Sequence, residues 1–157
     1  MPPTSAYVVV FAVALATTAA VTPLCRAVAQ RLSIMAPVTD RAVHSRPVAY
    51  LGGVAMLVGF LVAFGVAWTM TGFAPVFETA SVPLGVALGA VVLCGVGTLD
   101  DVRDVSAPAK TAGVVLAGSV MYALGVSLLY FRVPVFDTLF VLGPDLAPLI
   151  SVLWVLG

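Results

Sequence analysis

Four stretches of roughly twenty residues, almost free of charge, constrain this chain more than any other feature. They cover about 6–24, 51–70, 82–99 and 111–131, and a further apolar run begins near Leu149 and reaches Gly157. A helix that spans a bilayer needs ~20 mostly apolar residues. The strands of a membrane barrel would instead alternate apolar and polar positions. These runs do not alternate, so they read as helices. With 62% hydrophobic and only 9% charged residues, the chain lacks the polar surface that a soluble globule needs. The expected fold is an all-α, multi-pass transmembrane bundle of about four complete helices plus a truncated fifth. The last run supplies at most half a crossing, and a chain stopping there would leave carbonyls unsatisfied in hydrocarbon. Residues 1–157 are therefore expected to be the N-terminal part of a single integral-membrane domain.

The N-terminal Met1-Pro2-Pro3-Thr4-Ser5 lacks the basic region of a cleaved signal peptide, and the run behind it is too long for one. Cys25 and Cys94 stand alone, with no metal-like spacing, and read as small membrane-core residues. Six of the seven Lys and Arg residues fall in the polar segments 25–50 and 100–110; only Arg132 lies on the opposite side. The positive-inside bias places both segments in the cytoplasm and the N-terminus outside. Gly85-x-x-x-Gly89 and Ala55-x-x-x-Gly59 suit close packing between helices. Gly52-Gly53, at the cytoplasmic start of the second helix, suits either packing or close approach of a ligand to the backbone.

Charge gathers at one place. Between Gly97 and Lys110 lie Asp100, Asp101, Arg103, Asp104 and Lys110, five of the fourteen charged side chains. Adjacent carboxylates at a helix C-terminus oppose the helix dipole and repel one another. A divalent cation or bound basic side chains would offset this. Magnesium fits best, because it takes oxygen ligands and commonly combines one or two carboxylates with substrate phosphates. Simple termination of a transmembrane helix at water explains the same pair. Ser106 is suited to cap the fourth helix, with Pro108 in its first turn. The amides there, with Lys110 nearby, suit a phosphate, although a capped helix start with a topology-setting lysine would look alike. The segment between the first two helices carries Arg26, Arg31, Arg41 and Arg46 with Asp40 and His44. Arginines there answer topology, or cradle a diphosphate through bidentate contacts.

Two segments together resemble the polyprenyl-phosphate N-acetylhexosamine-1-phosphate transferase superfamily. One is Asp40-Arg41-Ala42-Val43-His44-Ser45-Arg46-Pro47-Val48-Ala49-Tyr50-Leu51-Gly52-Gly53; the other is the Asp100-Asp101 stretch with Ser106 and Lys110. The His44-x-x-Pro47 form is more similar to the branch that uses UDP-N-acetylglucosamine than to the muramoyl-pentapeptide branch. Ala49 and Tyr50 stand where many relatives show Pro and Arg. Neither the Asn- and Asp-Gly-rich loop nor the later His-rich loop typical of the family lies within these 157 residues.

The resemblance implies transfer of N-acetylglucosamine-1-phosphate, or a related N-acetylhexosamine-1-phosphate, from a UDP-sugar to a polyprenyl phosphate with release of UMP. That is a first membrane step of cell-wall or surface-polysaccharide synthesis. Asp100 and Asp101 would be catalytic and would also contact Mg2+ (or Mn2+), whose main ligand would lie elsewhere in the family fold. His44, Arg46, Gly52, Gly53 and Lys110 would face substrate. The implied partners are a UDP-sugar, a polyprenyl phosphate and the plasma-membrane bilayer, with a homodimer allowed and no nucleic acid. Two other classes compete. A transporter or channel fragment would hold its carboxylates on an ion path at mid-membrane depth. A structural membrane subunit would use the polar loops only to set topology.

Overall fold

A computed structural model of the chain describes residues 2–33, 35–36, 48–103, 105–133 and 138–156. The elements in order are α1 (Thr4–Arg31), β1 (Met35–Ala36), β2 (Val48–Ala49), α2 (Gly52–Thr69), the short α3 (Ala74–Phe77), α4 (Ser81–Arg103), α5 (Ala107–Ala123), β3 (Tyr130–Val133), β4 (Thr138–Val141) and α6 (Leu146–Leu156). Three of these helices, α1, α2 and α4, are long and apolar enough to cross a membrane. The chain divides into two compact units. One comprises Met1–Glu78 with Gly97–Val105, the other Thr79–Val96 with Ser106–Gly157.

The first unit is built on α1 packed against α2. Ala55, Gly59, Ala63 and Ala67 recur every fourth residue and form the buried stripe of α2. At Gly59 a Cβ would run into the Thr18 side chain and come within 3.0 Å of the Ala14 carbonyl. The absence of a side chain is therefore what lets the two helices approach, as the small-residue spacing led us to expect. Gly72, just past α2, meets Pro2 and Pro3, and Tyr7 packs edge-on to Phe73 with ring centroids 5.2 Å apart. The start of α1 thus lies beside the end of α2, and the two helices run antiparallel.

Helix α1 is longer than expected. It passes through Pro23 and ends at Arg31 rather than near Leu24. Leaving the apolar run does not end a helix: Arg26-Ala27-Val28-Ala29-Gln30-Arg31 is dominated by good helix formers. Its 28 residues span ~42 Å, beyond a hydrocarbon core of ~30 Å. It stops where Ser33 takes the left-handed conformation, φ 57°, and donates its N–H to the Gln30 carbonyl.

The second unit is organised by glycines that face neighbouring helices. Gly85 and Gly89 are buried; a Cβ on Gly85 would lie 2.9 Å from Leu124 Cβ, and one on Gly89 would strike Met121. Gly118 of α5 similarly lets Val152 of α6 come close, 3.2 Å from a Cβ to the Val152 Cα.

The fourth helix departs from expectation. Instead of covering 111–131, it starts at Ala107 and ends at Ala123. Gly125, at φ +94°, donates its N–H to the Tyr122 carbonyl at 2.9 Å, and Val126 donates to Met121 at 2.9 Å. This paired pattern is a Schellman stop. The residues beyond it, non-helical at 126–129 and then paired as β3 with β4, keep the apolar character of the run without its helix. Four complete spanning helices are accordingly not found among the described residues.

One polar group ties this non-helical segment down. Ser151, only 6% exposed, donates its hydroxyl to the Ala147 carbonyl at 2.7 Å and accepts the Leu128 N–H at 2.8 Å. Ser151→Ala would leave that amide without its partner, and is expected to cost ~1–3 kcal/mol. Thermal unfolding of the purified whole protein measures this; an unchanged midpoint would contradict the tether.

Candidate active site at the end of α4

The acidic pair lies in the last turn of α4, which continues one turn past Leu99 to Arg103. Asp100 and Asp101 are both half-buried. Consecutive helical side chains point ~100° apart, so the two carboxylates serve different directions. The Asp100 carboxylate accepts the Val105 N–H at 3.1 Å, beyond the end of the helix. It thereby holds the segment that leads out of α4 and into α5. Asp104 lies outside the described residues.

This turn belongs to the same compact unit as α1 and α2. In that unit the β1–β2 ladder pairs Met35 with Ala49 and Ala36 with Val48; residues 37–47 lie outside the described residues. His44 and Arg46 fall in that span. The chain leaves the ladder through Leu51, whose φ of 70° is unusual for a branched residue, and enters α2 at Gly52 and Gly53. A Cβ on either glycine would meet no described atom within 4 Å. Packing among the described residues does not require glycine there.

The left-handed conformation of an L-residue with a full side chain costs ~1–2 kcal/mol. Leu51→Gly is therefore expected to be more stable than Leu51→Ala by about 1 kcal/mol. Equal melting temperatures of the two variants would show that Leu51 is not strained.

Lys110 sits in the first turn of α5, in the second unit, half-buried. Its backbone N–H is bonded to the Ser106 carbonyl at 3.0 Å, and Ser106 occupies the N-cap position with Pro108 just inside the helix. Ser106 makes no side-chain cap bond, and the bond from Lys110 to its carbonyl is simply the first one of the helix.

Among the described residues, no group of three His, Cys, Asp or Glu side chains stands close enough to hold a metal ion. Asp100 and Asp101, directed apart, each offer a single carboxylate, and a magnesium ion that retains water and takes further oxygens from a phosphate substrate can use one such donor.

Two features here were not read from the sequence. Neither a leucine at positive φ nor a carboxylate accepting an amide five residues on leaves a compositional signal.

An apolar helical membrane chain with an acidic pair closing one of its helices is the class that this fold and site define. In sequence the chain is similar to decaprenyl- and undecaprenyl-phosphate N-acetylglucosamine-phosphate transferases. It is 32% identical over 113 residues to the decaprenyl-phosphate N-acetylglucosaminephosphotransferase of Mycobacterium leprae, covering 72% of this chain and 28% of that protein. With the protein of the same name from Mycobacterium tuberculosis it shares 31% identity over 110 residues, 70% and 27% of the two chains. With the probable undecaprenyl-phosphate N-acetylglucosaminyl 1-phosphate transferase of Bacillus subtilis it shares 29% over 150 residues, 96% and 39%. The chain thus spans well under half the length of these curated relatives. No family model matches it. No solved structure matches it either.

Proposed function

We propose that this chain forms part of the reaction centre of an enzyme that transfers N-acetylglucosamine-1-phosphate, or a related N-acetylhexosamine-1-phosphate, from a UDP-sugar to a polyprenyl phosphate. The observation that carries the reading is the half-buried Asp100-Asp101 pair in the last turn of α4, in a chain related to transferases of that name. An oxygen of the lipid phosphate attacks the β-phosphorus of the UDP-sugar. The bond from that phosphorus to the bridging oxygen breaks, and UMP leaves. One carboxylate of the pair takes the proton of the attacking phosphate; the other would help to hold the metal when it is bound, and Asp100 is also braced against Val105.

When bound, Mg2+, or Mn2+ in its place, supplies charge neutralisation to the phosphates. Lys110, Arg46 and His44 would bind substrate phosphates, the role that the resemblance implies for them, and a Cβ on Gly52 or Gly53 would meet no described atom within 4 Å, which supports close approach of a ligand to the start of α2. The positions of the basic residues support a reading with these segments at the cytoplasmic face of the plasma membrane and the N-terminus outside. The reaction would stand at the first membrane step of cell-wall or surface-polysaccharide synthesis, and the whole protein is compatible with a homodimer. Carboxylates on an ion path would occupy mid-span, whereas this pair closes its helix.

The whole protein, reconstituted in vesicles, should release UMP only when UDP-N-acetylglucosamine and polyprenyl phosphate are both present. Chelation of divalent cations should stop it. UMP release that is indifferent to the lipid phosphate would overturn the reading, as would solute passage without any UMP.

A further inference from the structure

The α1–α2 pair carries an apolar groove of about 570 Å³ along one side. On α1 it runs from Tyr7 past Phe11 to Thr18, and on α2 it is walled by Met56, Phe60 and Phe64. The α1 wall rises ~16 Å, about one leaflet of a ~30 Å hydrocarbon core. Volume and lining are those of a small-molecule site, which encloses ~300–1,000 Å³ among aliphatic and aromatic side chains. Phe11 and Met56 are 68% and 67% exposed, so the groove opens sideways rather than into a core.

One end of the groove is polar. No charged side chain occurs at 2–25 or 47–77. Charge begins where α1 stops, with Arg26 and Arg31. The two helices run antiparallel, and α1 also meets β2, just before α2. Those arginines and Gly52-Gly53 therefore lie at the same end of the pair. Gly53, Met56 and Phe60 stand three and four residues apart and share one face of α2. The groove wall thus leads to the glycine pair, one turn beyond Met56. The first turn of α2 holds no acid and has no side-chain cap, and amides at a helix start favour an anion. A ligand with one anionic head and a long apolar tail matches this arrangement in a single orientation, head at the glycines and tail along the groove.

We propose that the groove holds the first isoprene units of the polyprenyl phosphate, with its phosphate at the start of α2. The identity of the lipid rests on the transferase reading; the place of its tail is what the groove adds. Polyprenyl phosphate is favoured over a bilayer phospholipid because the groove ends at Gly52-Gly53, where that reading brings the substrate close.

The test uses the whole protein in lipid nanodiscs, photolysed with a polyprenyl phosphate that carries a diazirine on its third isoprene unit. Labelled peptides are identified by mass spectrometry. Label is expected within 7–18 and 56–67, suppressed by excess unmodified polyprenyl phosphate and not by phosphatidylglycerol. Met56→Trp fills the groove near its polar end and is expected to lower this label about tenfold, the equivalent of roughly two lost methylene contacts. Val8→Trp, exposed but outside the groove, should leave it unchanged. Equal suppression by phosphatidylglycerol means an ordinary bilayer lipid and overturns the proposal. Label confined to other parts of the protein means a groove covered by protein, and overturns it equally, as does undiminished label in Met56→Trp. UMP release is assayed on the same preparations. Groove label suppressed by polyprenyl phosphate without UMP release would refute the transferase reading alone, and UMP release with label elsewhere would refute the groove alone.

Discussion

Asp101→Asn in the whole protein is expected to lower turnover by about 10²–10⁴-fold, the range lost when a positioned acid or base is removed. Asparagine keeps the size of the side chain and one acceptor oxygen, but it neither takes a proton nor offsets cationic charge. Asp100→Asn separates charge from architecture at the neighbouring position. Its amide oxygen can still accept the Val105 N–H that Asp100 accepts at 3.1 Å, so the exit from α4 should hold while turnover falls. Asp100→Ala removes both the charge and the acceptor and is expected to lower the melting temperature as well. Initial rates of UMP release beside thermal unfolding of the same preparations separate the two effects. Near-normal turnover in either asparagine variant would remove that carboxylate from the chemistry.

The largest expected effect on stability is at Gly59. A side chain there would enter space held by Thr18 and the Ala14 carbonyl, and backbone cannot yield as a flexible side chain can. Gly59→Leu is expected to destabilise the α1–α2 pair by ~1–3 kcal/mol, the usual range for overpacking, or more. Gly65 lies in the same helix, exposed, and a Cβ there would meet no described atom within 4 Å. Gly65→Ala should stay within about 0.5 kcal/mol of the parent. Thermal unfolding of both variants in one detergent makes the comparison, and equal losses would show that the α1–α2 contact is not set by Gly59.

Much of this was legible in the residues, for physical reasons that also mark where legibility stops. Crossing a bilayer demands an uninterrupted apolar length, so α2 was expected over 51–70 and is found over Gly52–Thr69. Hydropathy locates the membrane but not the end of a helix. That is why α1 runs on to Arg31, and why α4 carries its acidic pair one turn inside the helix rather than just past it. The opposite error occurred at α5. There the run stays apolar after the helix has ended, and a single glycine in the left-handed conformation made the difference. Gly125, followed by the strand-favouring Tyr130-Phe131-Arg132-Val133, was the available signal. Small-residue spacing was informative at Gly59, Gly85 and Gly89 because close approach leaves glycine no substitute. At the site, the acidic pair stood out because charge is so scarce in this chain. The bracing of Asp100 against Val105 and the strain at Leu51 depend on backbone geometry that no residue type announces.

The central claim concerns which bond is broken, and UDP-N-acetylglucosamine labelled with ³²P at its β-phosphate tests it most directly. The whole protein is incubated with this donor and polyprenyl phosphate, and the lipid and aqueous phases are then separated. Sugar-1-phosphate transfer is expected to carry the label into the lipid and leave unlabelled UMP in water. Label released as UDP would mean transfer of the sugar alone, and label that remains in the donor would mean no transfer; either result contradicts the proposed chemistry.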